Sequence, residues 1–247
     1  MKLFVSIMFI ALSLFAQEEI TIKSKDGYLL YGWLEYPAKV QETYPLAFFA
    51  HQFGSDHSIW NDMAAKLREQ GYATLNIDLR GHGKSILQNG KENGIVNNTN
   101  MDHIREALAQ SREKVKFEKI PQDISLWLEY ASNNDKLDME SLILFGSSLG
   151  AGSMLPIIAD FSAKAAVLVS PGGGDEHVIK DALSLSETPI LFISGKNDPL
   201  KAQERASQYA VQAMKGTNLM ISSGGHGTVL LPWVEEYIFT FIKMSSK

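Results

Sequence analysis

The chain contains no cysteine. That excludes disulfides, thiolate zinc sites and a cysteine nucleophile. Nor does it carry an excess of positive charge. Its formal net charge is −5 at pH 7, so there is no electrostatic reason to expect a nucleic-acid partner. The most apolar stretch, residues 3–15, falls short of the roughly 20 residues a helical membrane span needs. Nucleotide-binding loops are missing too. Gly83-Lys84-Ser85 looks like the end of a phosphate-binding loop, but Asp78 stands where that motif requires glycine. Ile86 occupies the last glycine position of the dinucleotide pattern. No cofactor and no metal is therefore expected. Internal repeats and a second domain are also lacking, and 247 residues suit one large α/β unit.

What is present begins at the N-terminus. Lys2, the apolar run 3–15 and Ala16 precede the polar Gln17-Glu18-Glu19. This is the pattern of a secretory signal peptide. Residues 1–16 are accordingly set apart from a domain at 17–247. The mature chain is expected to be secreted or periplasmic, without a stable membrane anchor.

The strongest motif is Gly146-Ser147-Ser148-Leu149-Gly150, directly after the apolar run Leu142-Ile143-Leu144-Phe145. A buried strand that ends in Gly-x-Ser-x-Gly and enters a small-residue helix has the form of a nucleophile elbow. Ser148 then needs a base and an acid to orient that base. Both follow downstream, each at a strand end. Pro189-Ile190-Leu191-Phe192-Ile193-Ser194 empties into Gly195-Lys196-Asn197-Asp198-Pro199, and Leu219-Met220-Ile221 empties into a glycine-rich loop holding His226. The carboxyl ends of parallel strands lie on one edge, so Ser148, Asp198 and His226 can converge there. Asp175, after three consecutive glycines, is the reserve acid, and Ser147 is the reserve nucleophile. An oxyanion requires donors as well. The backbone N–H of Leu149 is one candidate. The other is the N–H of Phe53, where Ala47-Phe48-Phe49-Ala50 opens into His51-Gln52-Phe53-Gly54. His51 is read as a residue that braces this turn.

Together, His51-Gln52-Phe53-Gly54, Asp78-Leu79-Arg80-Gly81-His82-Gly83-Lys84-Ser85, the 146–150 motif, Gly195-Lys196-Asn197-Asp198 and Gly225-His226-Gly227 resemble the α/β-hydrolase superfamily over nearly all of residues 17–247. The compact layout is similar to the small serine esterase and dienelactone hydrolase-like groups. Dienelactone hydrolases proper use cysteine, and Gln52 stands where many relatives have glycine. The resemblance implies an α/β-hydrolase fold with a mostly parallel eight-stranded sheet flanked by helices. No large lid is expected, because fewer than twenty residues separate Pro171 from Pro189. It also implies a carboxylesterase-like serine hydrolase that acts on small-molecule esters through an acyl-enzyme. The same triad serves amides, so an exopeptidase or amidase stays open. A catalytically silent binding protein on the same fold is the third reading.

Elsewhere, helical spacing is expected over 58–70, 101–117, 149–159 and 229–243. Asn- and Gly-rich sequence over 88–100 reads as a surface loop.

Overall fold

The computed structural model describes residues 17–97, 103–222 and 224–245. The expected signal peptide at 1–16 lies outside the described residues. The chain opens with β1 (Glu18–Lys23) and β2 (Tyr28–Glu35), an antiparallel pair turned at Gly27. Next come β3 (Tyr44–Ala50), α1 (Asn61–Glu69), β4 (Ala73–Ile77) and the two-residue strands β5 (Leu87–Gln88) and β6 (Lys91–Glu92). α2 (Ile104–Val115) and α3 (Ile120–Ser132) lead to β7 (Leu137–Ser147), α4 (Leu149–Met154) and β8 (Ala165–Val169). The chain closes with α5 (Glu176–Leu185), β9 (Ile190–Gly195), α6 (Ala202–Gln212), β10 (Gly216–Ile221) and α7 (Glu235–Ser245).

Among the described residues all ten strands join one sheet, in the order β10-β9-β8-β7-β3-β4-β2-β5-β6 with β1 beside β2. Pairing is parallel from β4 through β3, β7, β8 and β9 to β10, and antiparallel around β2. The eight-stranded expectation thus needs one correction. The eight framework strands are all there, and β5 and β6 add a small hairpin at the edge. Two-residue strands carry no alternation to detect, so the sequence from residue 88 on gives the signal of a plain loop.

Strands buried on both faces read as unbroken apolar runs. In β3, Leu46, Phe48 and Ala50 face one core, which also holds Trp127 and Leu128 of α3 and Leu183 of α5. Ala47 and Phe49 face the other, with Met63 and Leu67 of α1 and Ile238 and Ile242 of α7. Each fully buried side chain of this size contributes about 1.5–3 kcal/mol. Both layers therefore hold the central strands rigidly, and the loops at their carboxyl ends inherit that rigidity.

Prolines shift two helix ends. Pro156 converts the end of the elbow helix into a 3-10 turn, Leu155–Ile157. Pro232 sits in a 3-10 segment, Gly227–Trp233, so α7 starts only at Glu235. The stretch between Pro171 and Pro189 is filled by α5, whose N-terminus is capped by the Asp175 carboxylate. No large lid is present among the described residues.

Candidate active site

The elbow is built as its sequence requires. Ser148 has φ +48° and ψ −106°, a conformation costly for a residue with a Cβ. The glycines on either side make room for it. A Cβ on Gly146 would stand 2.6 Å from Ala151 Cα, and one on Gly150 would stand 2.4 Å from the Ala50 carbonyl oxygen. The same close approach lets Gly150 N–H donate to the His51 carbonyl at 3.1 Å. The two segments expected to supply oxyanion donors are thereby in direct backbone contact.

Three side chains far apart in the chain meet here. The Ser148 hydroxyl lies 2.7 Å from His226 Nε2. His226 Nδ1 lies 2.8 and 3.0 Å from the two Asp198 oxygens. An ionised carboxylate can only accept, so Nδ1 carries the ring proton. Nε2 is then left as the acceptor for the serine proton. Burial pushes the Asp198 carboxyl up, but the hydrogen bonds and charge of His226, the Leu200 N–H and the Ser170 hydroxyl outweigh it and hold it below the usual carboxylate value. The Asp198 side chain is sealed from solvent, His226 is 17% exposed and Ser148 9% exposed. Even without a large lid, the serine itself is thus nearly buried. The arrangement can move a proton from an alcohol oxygen to an imidazole whose charged form faces a fixed anion.

The backbone N–H groups of Leu149 and Phe53 have no acceptor among the described residues. The Phe53 ring packs edge-on to His82 and Phe117, with centroids 5.6 and 6.1 Å away. Phe117 and α2 thus border the turn, and Arg105 of α2 reaches the Pro199 carbonyl at 3.5 Å. Residues 104–117 shape the surroundings of the site.

The reserve candidates are placed elsewhere. The exposed Asp175 accepts from His177 N–H and Val178 N–H as a helix cap. The buried Ser147 donates to Gln52 Oε1 at 2.8 Å. His51 has the bracing part expected of it. Its Nδ1 donates to the Gln52 carbonyl at 2.7 Å and its Nε2 accepts from Leu79 N–H at 3.0 Å. Two residues that sequence reasoning missed also enter the site. Gln52 Oε1 accepts from Thr228 N–H at 3.1 Å, and Ser170 Oγ accepts from Gly227 N–H at 2.9 Å. Their nearest signal was position alone, one residue past His51 and one past β8.

The parallel sheet, the strained serine turn and the histidine loop at one sheet edge define an α/β hydrolase. A model of the acetyl xylan esterase (AXE1) family matches residues 13–171, more than half of the chain. The chain belongs to that family and is a carboxylesterase-type hydrolase. The matched span takes in Ser148 and stops before Asp198 and His226. Solved structures share the fold at low identity. The α/β hydrolase GrgF from Penicillium sp. sh18 is 14% identical with a TM-score of 0.69, over 93% of this chain and 99% of that one. Est1E from Butyrivibrio proteoclasticus, solved with ferulic acid bound, is 20% identical with a TM-score of 0.66, over 91% and 99%. The Pyrococcus furiosus esterase Pf2001 is 16% identical with a TM-score of 0.67, over 93% of each chain. No curated protein sequence matches the chain.

Proposed function

We propose that this esterase cleaves carboxylic esters of small acyl groups through a triad of Ser148, His226 and Asp198. The observation that supports this most is the 2.7 Å approach of His226 Nε2 to the Ser148 hydroxyl, with Asp198 on the far nitrogen. His226 takes the serine proton as the oxygen attacks the ester carbonyl. The tetrahedral oxyanion is met by the N–H groups of Leu149 and Phe53. Asp198 fixes the imidazole tautomer and stabilises its charged form. His226 then protonates the leaving alcohol, and a water activated by the same imidazole clears the acyl-enzyme. Acetyl is the first acyl group to try, because the family's description names acetyl xylan esterase. Residues 1–16 act as a signal peptide, which places the working enzyme outside the cytoplasm.

The test is a panel of p-nitrophenyl esters of graded chain length beside aminoacyl amides, with Ser148→Ala as control. Turnover of short esters that disappears in the variant is expected. Preferential cleavage of the amides would move the enzyme to the peptidase reading, and no turnover of either would move it to the silent one.

A further inference from the structure

The proposed general base sits on a loop that has little stiffness of its own. His226 is flanked by Gly225 at φ +144° and Gly227 at φ +74°. Glycines leave the backbone free to sample many conformations, and each would move the imidazole. Something outside the loop has to hold it. The two residues after His226 are tied by consecutive backbone N–H groups to two side-chain oxygens from different segments. Gly227 N–H donates to Ser170 Oγ at 2.9 Å, and Thr228 N–H donates to Gln52 Oε1 at 3.1 Å.

Each anchor is itself fixed to another part of the site. Gln52 Oε1 also accepts from the Ser147 hydroxyl at 2.8 Å, inside the elbow. Its own backbone belongs to the turn carrying Phe53, and its carbonyl is held by His51 at 2.7 Å. Both donors to Oε1 are an N–H and an O–H, so the amide orientation is set by chemistry. Ser170 is fully buried and takes φ +46°, where a glycine would be less strained. Its oxygen is used by Gly227, which leaves its proton free, and that hydroxyl contributes to holding the Asp198 carboxyl down. Approach is close enough that a Cβ on Gly227 would stand 1.9 Å from Gln52 Oε1 and 2.9 Å from Ser147 Oγ.

We infer that Gln52 and Ser170 are positioning residues that clamp the His226 loop, aligning the imidazole between Ser148 and Asp198. The clamp rests on the triad reading above. It joins the four parts of the site, because Gln52 spans the oxyanion turn, the elbow and the histidine loop while Ser170 links that loop to the acid. A misplacement of about 1 Å in such a constellation costs roughly 100-fold in rate. Neither residue touches the reacting atoms, so both act through His226.

The test uses the whole enzyme and a short p-nitrophenyl ester. Ser170→Gly removes the hydroxyl and relieves the positive φ. Gln52→Met keeps the length and removes the acceptor, and Gln52→Glu restores an acceptor. Ser170→Gly and Gln52→Met are each expected to lower kcat about 10- to 100-fold. KM should stay within about threefold, and Tm within about 5 °C. Gln52→Glu should recover most of kcat and move the acid limb of the pH profile upward, because the added carboxylate favours the charged imidazole. Wild-type kcat in both Ser170→Gly and Gln52→Met would overturn the clamp. So would parallel losses of kcat and Tm with no recovery in Gln52→Glu, since those mark packing alone. Ser148→Ala runs beside them. If it is dead while the clamp variants are unimpaired, only the clamp fails. If it still hydrolyses the ester, the triad reading fails first.

Discussion

Two clusters rich in histidine and aspartate sit at the carboxyl edge of this sheet, and only one of them carries the proposed triad. Around β4 lie Asp78, Arg80, His82 and the neighbouring His51. Around β7, β8, β9 and β10 lie Ser148, Ser170, Asp198 and His226. In the first cluster most polar atoms are spent inside the protein, and among these four side chains only His82 Nε2 is buried without a partner. Asp78 accepts from His57 N–H, His57 Nδ1 and Lys84 N–H, at 2.8, 2.8 and 2.7 Å. Arg80 is gripped by Asp123 on one side and Asp26 on the other, and it is 1% exposed. Burial pushes His82 down to about 3 and lowers His51, so both rings stay neutral. In the second cluster a lone pair faces a serine hydroxyl, and two backbone N–H groups keep no acceptor among the described residues. Strain marks the second cluster as well, at Ser148 and Ser170. What separates the clusters is where a spare histidine nitrogen points: His226 Nε2 faces a serine hydroxyl, whereas His82 Nε2 is buried with no such partner.

The sharpest way to break this contrast is to remove one charged group from each cluster. Asp198→Asn is expected to lower kcat by about 10⁴-fold by spoiling the imidazole tautomer, with little change in thermal stability. Steady-state ester hydrolysis checks it, and near-normal turnover would undo the distinction. Arg80→Met should do the reverse. It leaves Asp123 buried without its partner, at a cost of about 3–5 kcal/mol, while the folded fraction keeps its kcat. Urea unfolding beside active-site titration separates the two effects.

Acidification should act on the clusters differently. His51 and His82 have folded pKa values depressed by burial, so only the unfolded chain takes up their protons as the pH falls below the ordinary histidine value. Their stabilisation is present near neutrality and is lost as the pH falls below the ordinary histidine value, for His82 down toward about 3 at up to about 1.4 kcal/mol per pH unit. Unfolding measured from pH 7 to 4 should show that slope, flattened in His82→Phe. A pH-independent stability over this range would contradict the assignment of neutral buried rings. Activity should fall on acidification for a separate reason, since a protonated His226 cannot accept the serine proton.

The smallest expected effect belongs to Asp175. Asp175→Ala removes a helix cap worth about 1 kcal/mol and should leave kcat untouched. A large loss of turnover there would return Asp175 to the position of catalytic acid.

Much of this was legible before any coordinates. The buried parallel strands show as apolar runs, and the residue types that follow Phe145, Ser194 and Ile221 announce what their loops carry. Residues whose meaning depends on distant partners stayed hidden. Gln52 and Thr228 are 176 positions apart, and Gly227 and Ser170 are 57 apart. No local pattern encodes such pairs. Helix ends were missed where backbone geometry overrode spacing. α2 stops because Lys116 turns left-handed at φ +64°, without a glycine to signal it. The helix expected over 229–243 starts only at Glu235, because Pro232 holds the preceding turn in 3-10 form.

The central claim is that His226 makes Ser148 the nucleophile. Its most direct test is labelling of the purified enzyme with a fluorophosphonate, followed by peptide mass spectrometry. One adduct is expected, on Ser148, and it should be lost in His226→Gln at unchanged fold. An active enzyme that stays unlabelled at Ser148, or that carries the adduct on Ser147, would contradict it.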